Sequence, residues 1–207
     1  MIRALFTLLL SWSVGALAAP HIVALQSART ELLIDANRRE ALKPYSRLTS
    51  GDTLDIASGG SMQIVWIDDG HQEHWQGPAR LTLGENRASE ASGRQPASIR
   101  TLPPAMRAAL AQTRSDLRQI RQLGAVSNVR SSKLPESTLA LYRDWRREAA
   151  ASDTGPELYL LHEQLRLNDW AGLGDTLRRL QALDPTNSEL QAASAALAAA
   201  LAEAPTP

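Results

Sequence analysis

Between His21 and Leu83 short apolar runs alternate with polar or glycine-containing breaks, the texture of strands and turns. Ile22-Val23-Ala24-Leu25, Leu32-Leu33-Ile34 and Leu54-Asp55-Ile56 each predict a strand. The clearest element is the run 61–67, which reaches Asp68-Asp69-Gly70 and reverses into 71–75. Asp-Gly between two strand-like runs predicts a hairpin, because glycine accepts the positive φ of a tight turn. Gly77-Pro78 then breaks the chain before Ala79-Arg80-Leu81-Thr82-Leu83, whose strict alternation describes a half-buried strand. Residues 84–98 are polar and without period, which predicts an exposed loop. The whole describes a small antiparallel all-β unit over residues 20–100.

The period changes at Pro103-Pro104. Met106, Leu110, Thr113, Leu117 and Ile120 recur at steps of four and three, which aligns them on one face of a helix ended by Gly124. A second helix is expected over 136–150, with Leu141, Tyr142, Trp145 and Ala149 inward. Thr154-Gly155-Pro156-Glu157 has the spacing of a capping box and opens a third helix. Asn168-Asp169 breaks it, a fourth spans 170–183, and Asp184-Pro185 stops that one. Thr186-Asn187-Ser188-Glu189 repeats the box before an alanine-rich helix to about Ala202. The fold class expected is therefore α+β, with the β unit followed by a helical bundle over 104–203.

Before His21 the chain has a different character. Arg3 precedes an apolar stretch, and Ala16-Leu17-Ala18 fits the small-residue rule for signal cleavage. Residues 1–18 are expected to be a secretory signal cut after Ala18, leaving a periplasmic product with no integral membrane span. The stretch is shorter than the ~20 apolar residues that cross a bilayer. No cysteine occurs anywhere in the 207 residues, which excludes lipidation at that cut, thiolate metal sites, a thiol nucleophile and disulfides.

Net charge is zero, 22 basic against 22 acidic groups, but its distribution is uneven. Residues 104–150 carry 9 basic and 4 acidic groups, and residues 151–207 carry 3 and 8. The acidic tail either folds back on the basic middle or leaves it to an external partner. Arg107, Arg114, Arg118 and Arg121 fall in a narrow stripe of the first helix, expected opposite its apolar face, where they would grip an acidic protein, anionic lipid or acidic wall polymer. The alternatives are a solvated face or pairing with the tail. Nucleic acid is not expected, since the stripe has no interleaved aromatics in an exported chain.

Two family resemblances rest on identifiable residues. Leu48-Thr49-Ser50-Gly51-Asp52-Thr53-Leu54, Gly60-Ser61-Met62-Gln63-Ile64-Val65-Trp66, Asp68-Asp69-Gly70 and Gln76-Gly77-Pro78-Ala79 resemble the FecR-type β domain of bacterial envelope proteins, over residues 20–100. That resemblance implies an envelope setting and a sensor in envelope signalling as one possible role. Residues 154–187 resemble a single tetratricopeptide repeat: Asn168-Asp169-Trp170 stands at the inter-helix turn, and Leu177, Leu180 and Pro185 fall at its apolar and closing positions. Leu173 and Gln164 depart from the repeat's pattern. A lone repeat cannot bury its own faces, so the flanking helices must complete it.

Chemistry is sparse. His71 and His74 invite a metal, but positions three apart on a strand point to opposite faces, so none is expected. No phosphate-binding loop, dinucleotide fingerprint, serine elbow or zinc-protease motif occurs. No cofactor and no catalysis are expected. Trp66 and Trp75 flank the hairpin turn and would stack on sugar rings if exposed; Trp66 is expected in the core, while alternation gives Trp75 no certain face. The candidate interaction surface is Arg107, Arg114, Arg118, Arg121, Trp75 and Asp69. The function expected is a non-catalytic periplasmic interaction or scaffold protein whose partner is an envelope protein. The alternative is a binding module for cell-wall glycan or another anionic envelope polymer.

Overall fold

A computed structural model describes residues 21–35, 37–124 and 133–203. The expected signal segment 1–18 lies outside them. The molecule is α+β: eight antiparallel strands are followed by five helices among the described residues. No helix among those residues is long and apolar enough to cross a membrane.

The separate apolar runs of the N-terminal half join into long bent strands. β1 (Ile22–Leu33) carries two of them and pairs along its length with β4 (Thr53–Trp66), which carries two more. The first half of β4 pairs with β6 (Ala79–Leu83) and the second with β5 (His71–Gln76). β4 can turn between those partners because Gly60 lies against the neighbouring backbone. A Cβ there would sit 2.7 Å from the Ala28 carbonyl oxygen. The ladder with β1 shifts register at that level. β2 (Arg39–Ala41) and β3 (Arg47–Leu48) pair with β1. In the hairpin between β4 and β5, Gly70 has φ +76° and leaves only 2.7 Å between a Cβ and the Leu102 carbonyl oxygen.

The region expected as a bare loop, 84–98, is corrected in part: it contains β7 (Ala88–Glu90), paired with β6, and leads into β8 (Ser98–Thr101), the edge strand beside β5. Ala88 is buried, and its N–H reaches the carboxylate of Glu73 on β5. That non-local contact anchors a segment whose own sequence has no strand period.

Two apolar cores result. Ile22, Ala24, Leu54, Ile64, Trp66, Trp75 and Leu81 fill the first, inside the β unit. Val23, Leu25 and Val65 point to the other face and join the helices in the second. This is why Ile22-Val23-Ala24-Leu25 is buried without alternation: both sides of β1 are covered there.

All five helices contribute to the second core. α1 (Pro104–Arg121) buries Met106, Leu110, Thr113, Leu117 and Ile120, the row expected from periodicity. It packs on α3 (Gly155–Arg166) and on α5 (Ser188–Ala202), while α2 (Glu136–Glu148) lies on α3. α4 (Trp170–Leu183) sits between α3 and α5 and is capped by Asp169, whose side chain accepts the Gly172 N–H. The two expected capping boxes are corrected. Thr154 makes no side-chain cap bond; Asp153 accepts the Gly155 N–H instead, and Glu157 turns to Arg146. At α5 the cap is Asn187, one residue beyond Thr186, accepting from Glu189 and Leu190.

His162 on α3 and Asp116 on α1 join these helices, Nδ1 to Oδ2 2.9 Å apart. The Asp116 hydrogen bond holds the imidazolium form and raises the His162 pKa above 6.5, against the opposing effect of burial. Because the folded pKa exceeds the unfolded one, the stabilisation is complete below about pH 6.5 and is lost as pH rises through the raised value. The stability difference between wild type and His162→Gln, measured by urea denaturation, is therefore expected to be larger at pH 5.5 than at pH 8.5. Equal differences at the two pH values would show that Asp116 gives the imidazolium form no advantage over the neutral ring.

Candidate functional site

At 100° per residue the four arginines of α1 span about 60° of its circumference, centred about 90° from the apolar row. The stripe therefore flanks the buried face of α1, which corrects its expected position opposite that face. Lying on the flank, it meets the neighbouring elements, and its ends are used there. Arg107 is half-buried and donates from Nη1 to the Asp68 carbonyl in the β4–β5 turn. Arg121 pairs with Glu189 of α5, Nη1 to Oε2 2.9 Å. The acidic tail thus folds back on one arginine of the four.

The two middle arginines differ. Arg114 and Arg118 are exposed and line a cleft of about 350 Å³ between α1 and the β1–β3 side of the sheet. Arg47 of β3 faces them across it, held in place by the pairing of its backbone with Val23. Val23, Tyr45 and Leu110 form the apolar part of the lining; Gln112 and Ser115 add polar atoms. Among the described residues, no ion pair engages Arg47, Arg114 or Arg118.

Tyr45 is fixed from behind. Its N–H donates to the Ala24 carbonyl at 2.6 Å, and its phenol oxygen accepts from Asn187 Nδ2 at 3.2 Å. Burial, reinforced by the nearby Asp184 and Glu189 charges, pushes its pKa far above the usual phenol range, so it stays neutral. Asn187 is also the α5 cap, which ties the cleft to the start of the last helix.

The remaining residues of the expected surface lie elsewhere. Trp75 is corrected outright: it is 1% exposed, in the inner β core, and its Nε1 donates to Glu73 Oε2 at 2.7 Å. Alternation along β5 puts His71, Glu73 and Trp75 on that inner face. Trp66 is equally buried and donates to the Gly84 carbonyl. Asp69 is exposed but does not line the cleft; its carboxylate accepts the His71 N–H and closes the hairpin turn. His71 bonds Glu73, while His74 projects from the opposite face. Among the described residues no three His, Asp or Glu side chains are grouped to hold a metal ion.

Sequence reasoning missed Arg47 and Tyr45, since nothing in the local pattern of Tyr45-Ser46-Arg47-Leu48 relates them to a helix sixty-odd positions on. It also missed a polar seam. Gln26, Gln63, His74 and Ser98 lie in one cross-strand row over β1, β4, β5 and β8. The loop between α2 and α3 covers them, with Gln63 Nε2 donating to Asp153 Oδ1 and Gln26 Nε2 to the Ser152 carbonyl. The space of about 20 Å³ between them has room for one water. Burial lowers the His74 pKa, which keeps that imidazole neutral at pH 7. The seam docks the helices on the sheet and so fixes the cleft walls. The only sequence signal for it was polar residues interrupting apolar strands.

Compared with known proteins, the chain matches no family model, no curated protein and no solved structure.

Proposed function

We propose that the protein is an exported, non-catalytic interaction protein of the bacterial cell envelope, and that its contact surface is the arginine-bearing flank of α1. The observation that carries this reading is the cleft. Three exposed guanidinium groups, from two elements with separate backbone anchors, face solvent without a carboxylate partner among the described residues. Charge left unpaired on fixed elements attracts and orients an acidic partner. The FecR-type and tetratricopeptide resemblances and the signal segment support the envelope setting. Burial of Trp66 and Trp75 argues against sugar stacking by the hairpin.

The test is photo-crosslinking in cells. A photoreactive residue at Gln112, exposed on the cleft rim, is expected to capture one or two reproducible envelope proteins, whereas one at Arg178 on α4 captures none of them. Charge reversal at Arg114 and Arg118 to Glu abolishes the capture. Capture that survives the reversal, or is equal from both positions, contradicts the reading.

A second reading, a binding module for an anionic envelope polymer, is favoured by the concavity of the site. A concave cleft of mixed polar and apolar lining is the shape that takes a small group rather than a flat protein face.

A further inference from the structure

We propose that the cleft between α1 and β3 is a phosphate site, in which Arg47, Arg114 and Arg118 together hold one phosphomonoester group, free or at the end of a polymer. The proposal rests on the second reading above in taking the cleft as a contact site.

Charge and valence select the ligand. A guanidinium is a planar fork of five donors that matches carboxylate or phosphate oxygens. A carboxylate has a single charge and two oxygens, enough to serve one arginine bidentately. Three arginines that line one cleft, none of them in an ion pair among the described residues, call for more charge and more acceptors than that. A phosphomonoester carries about two negative charges at neutral pH and three terminal oxygens. Arg114 and Arg118 are four residues apart, so they stand on neighbouring turns of α1, and both line the cleft. Arg47 closes the third side from β3.

The rest of the lining suits the carbon side of an ester. Val23, Leu110 and the neutral Tyr45 border the cleft, whose volume of about 350 Å³ falls at the small end of ligand pockets. Behind Tyr45, Glu189 is paired with Arg121, and Asp184 accepts from Asn187 Nδ2.

The experiment is isothermal titration of the purified protein with inorganic phosphate, glycerol 3-phosphate and acetate at constant ionic strength. Saturable one-to-one binding of both phosphates is expected, with acetate at least tenfold weaker. Arg47→Gln, Arg114→Gln and Arg118→Gln each weaken phosphate binding at least tenfold at an unchanged melting temperature, and Arg178→Gln does not. Acetate binding as well as phosphate, or the three variants retaining affinity, overturns the proposal. Wall fragments retained on the protein and released by inorganic phosphate identify a polymer-borne group. Phosphate binding without such retention identifies a free phosphoester, and either result supports the site. Loss of phosphate binding with crosslinking from Gln112 intact removes this inference and leaves the interaction reading standing. Phosphate binding with no protein captured does the reverse.

Discussion

Arg146→Met is expected to lower folding stability by about 3–5 kcal/mol, because it strands a buried carboxylate. Glu157 at the start of α3 is 3% exposed. Its Oε2 accepts from Arg146 Nη1 at 2.8 Å and its Oε1 from the Tyr142 hydroxyl at 3.2 Å. Arg146 also donates to the Asp153 and Ala150 carbonyls, so one side chain closes the α2–α3 loop that covers the polar seam. Removing it leaves the Glu157 charge with only the phenol. In urea denaturation the double variant Arg146→Met/Glu157→Leu is expected to recover most of the loss, since a missing pair costs less than half of one. A single variant within 1 kcal/mol of wild type would show that water, rather than Arg146, compensates Glu157.

Trp75→Ala is expected to cost a comparable ~3–5 kcal/mol, the range for a large aromatic deleted from a core. The indole fills the space inside the curled sheet beside Met62 and the other inner residues, and its N–H satisfies one oxygen of Glu73. Glu73 has no exposed surface to fall back on: it is 2% exposed, and its other contacts are His71 Nε2 at 2.8 Å and the Ala88 N–H. Trp75→Phe keeps most of the volume and removes the donor, so a smaller loss of about 1–3 kcal/mol is expected from it. Denaturation midpoints of the two variants, measured together, separate the packing contribution from the hydrogen bond. If both variants lost the same amount, the hydrogen bond rather than the volume would account for the effect.

Local signals made much of the helical half legible. The apolar row of α1 is set by its period, and the limits of α4 by Asn168-Asp169 and Asp184-Pro185. Caps were less legible, because several acceptors compete for the same N–H groups. At α3 the nearer Asp153 takes the cap while a tertiary partner, Arg146, draws Glu157 away. In the β half, alternation failed where both faces of a strand are covered. Trp75 could not be assigned a face because the neighbouring Gln72 and Glu73 are as buried as it is. β7 was hidden because its anchor, the Glu73 carboxylate, lies on another strand.

The candidate site was half legible. Helical spacing brought Arg114 and Arg118 together and grouped them with Arg107 and Arg121, whose partners lie on the hairpin turn and on α5. Their phase against the apolar row put them at the edge of the buried face. It is the edge position that makes a cleft, because only there does a neighbouring element supply an opposite wall. Arg47 reaches that wall through the pairing of β3 with β1, a tertiary arrangement with no local trace.

The cleft exists in this account because sheet and helices share one core, with Val23, Leu25 and Val65 packed among the helical leucines. Equilibrium unfolding of a Trp12→Phe/Trp145→Phe/Trp170→Phe variant tests that claim most directly. In it, Trp66 and Trp75 fluorescence reports the β core, and far-ultraviolet circular dichroism reports the helices. One cooperative unit predicts that the two signals share a single midpoint and slope in urea. Two transitions, with the helical signal lost while Trp66 and Trp75 remain buried, would contradict it and leave the arginine cleft without its second wall.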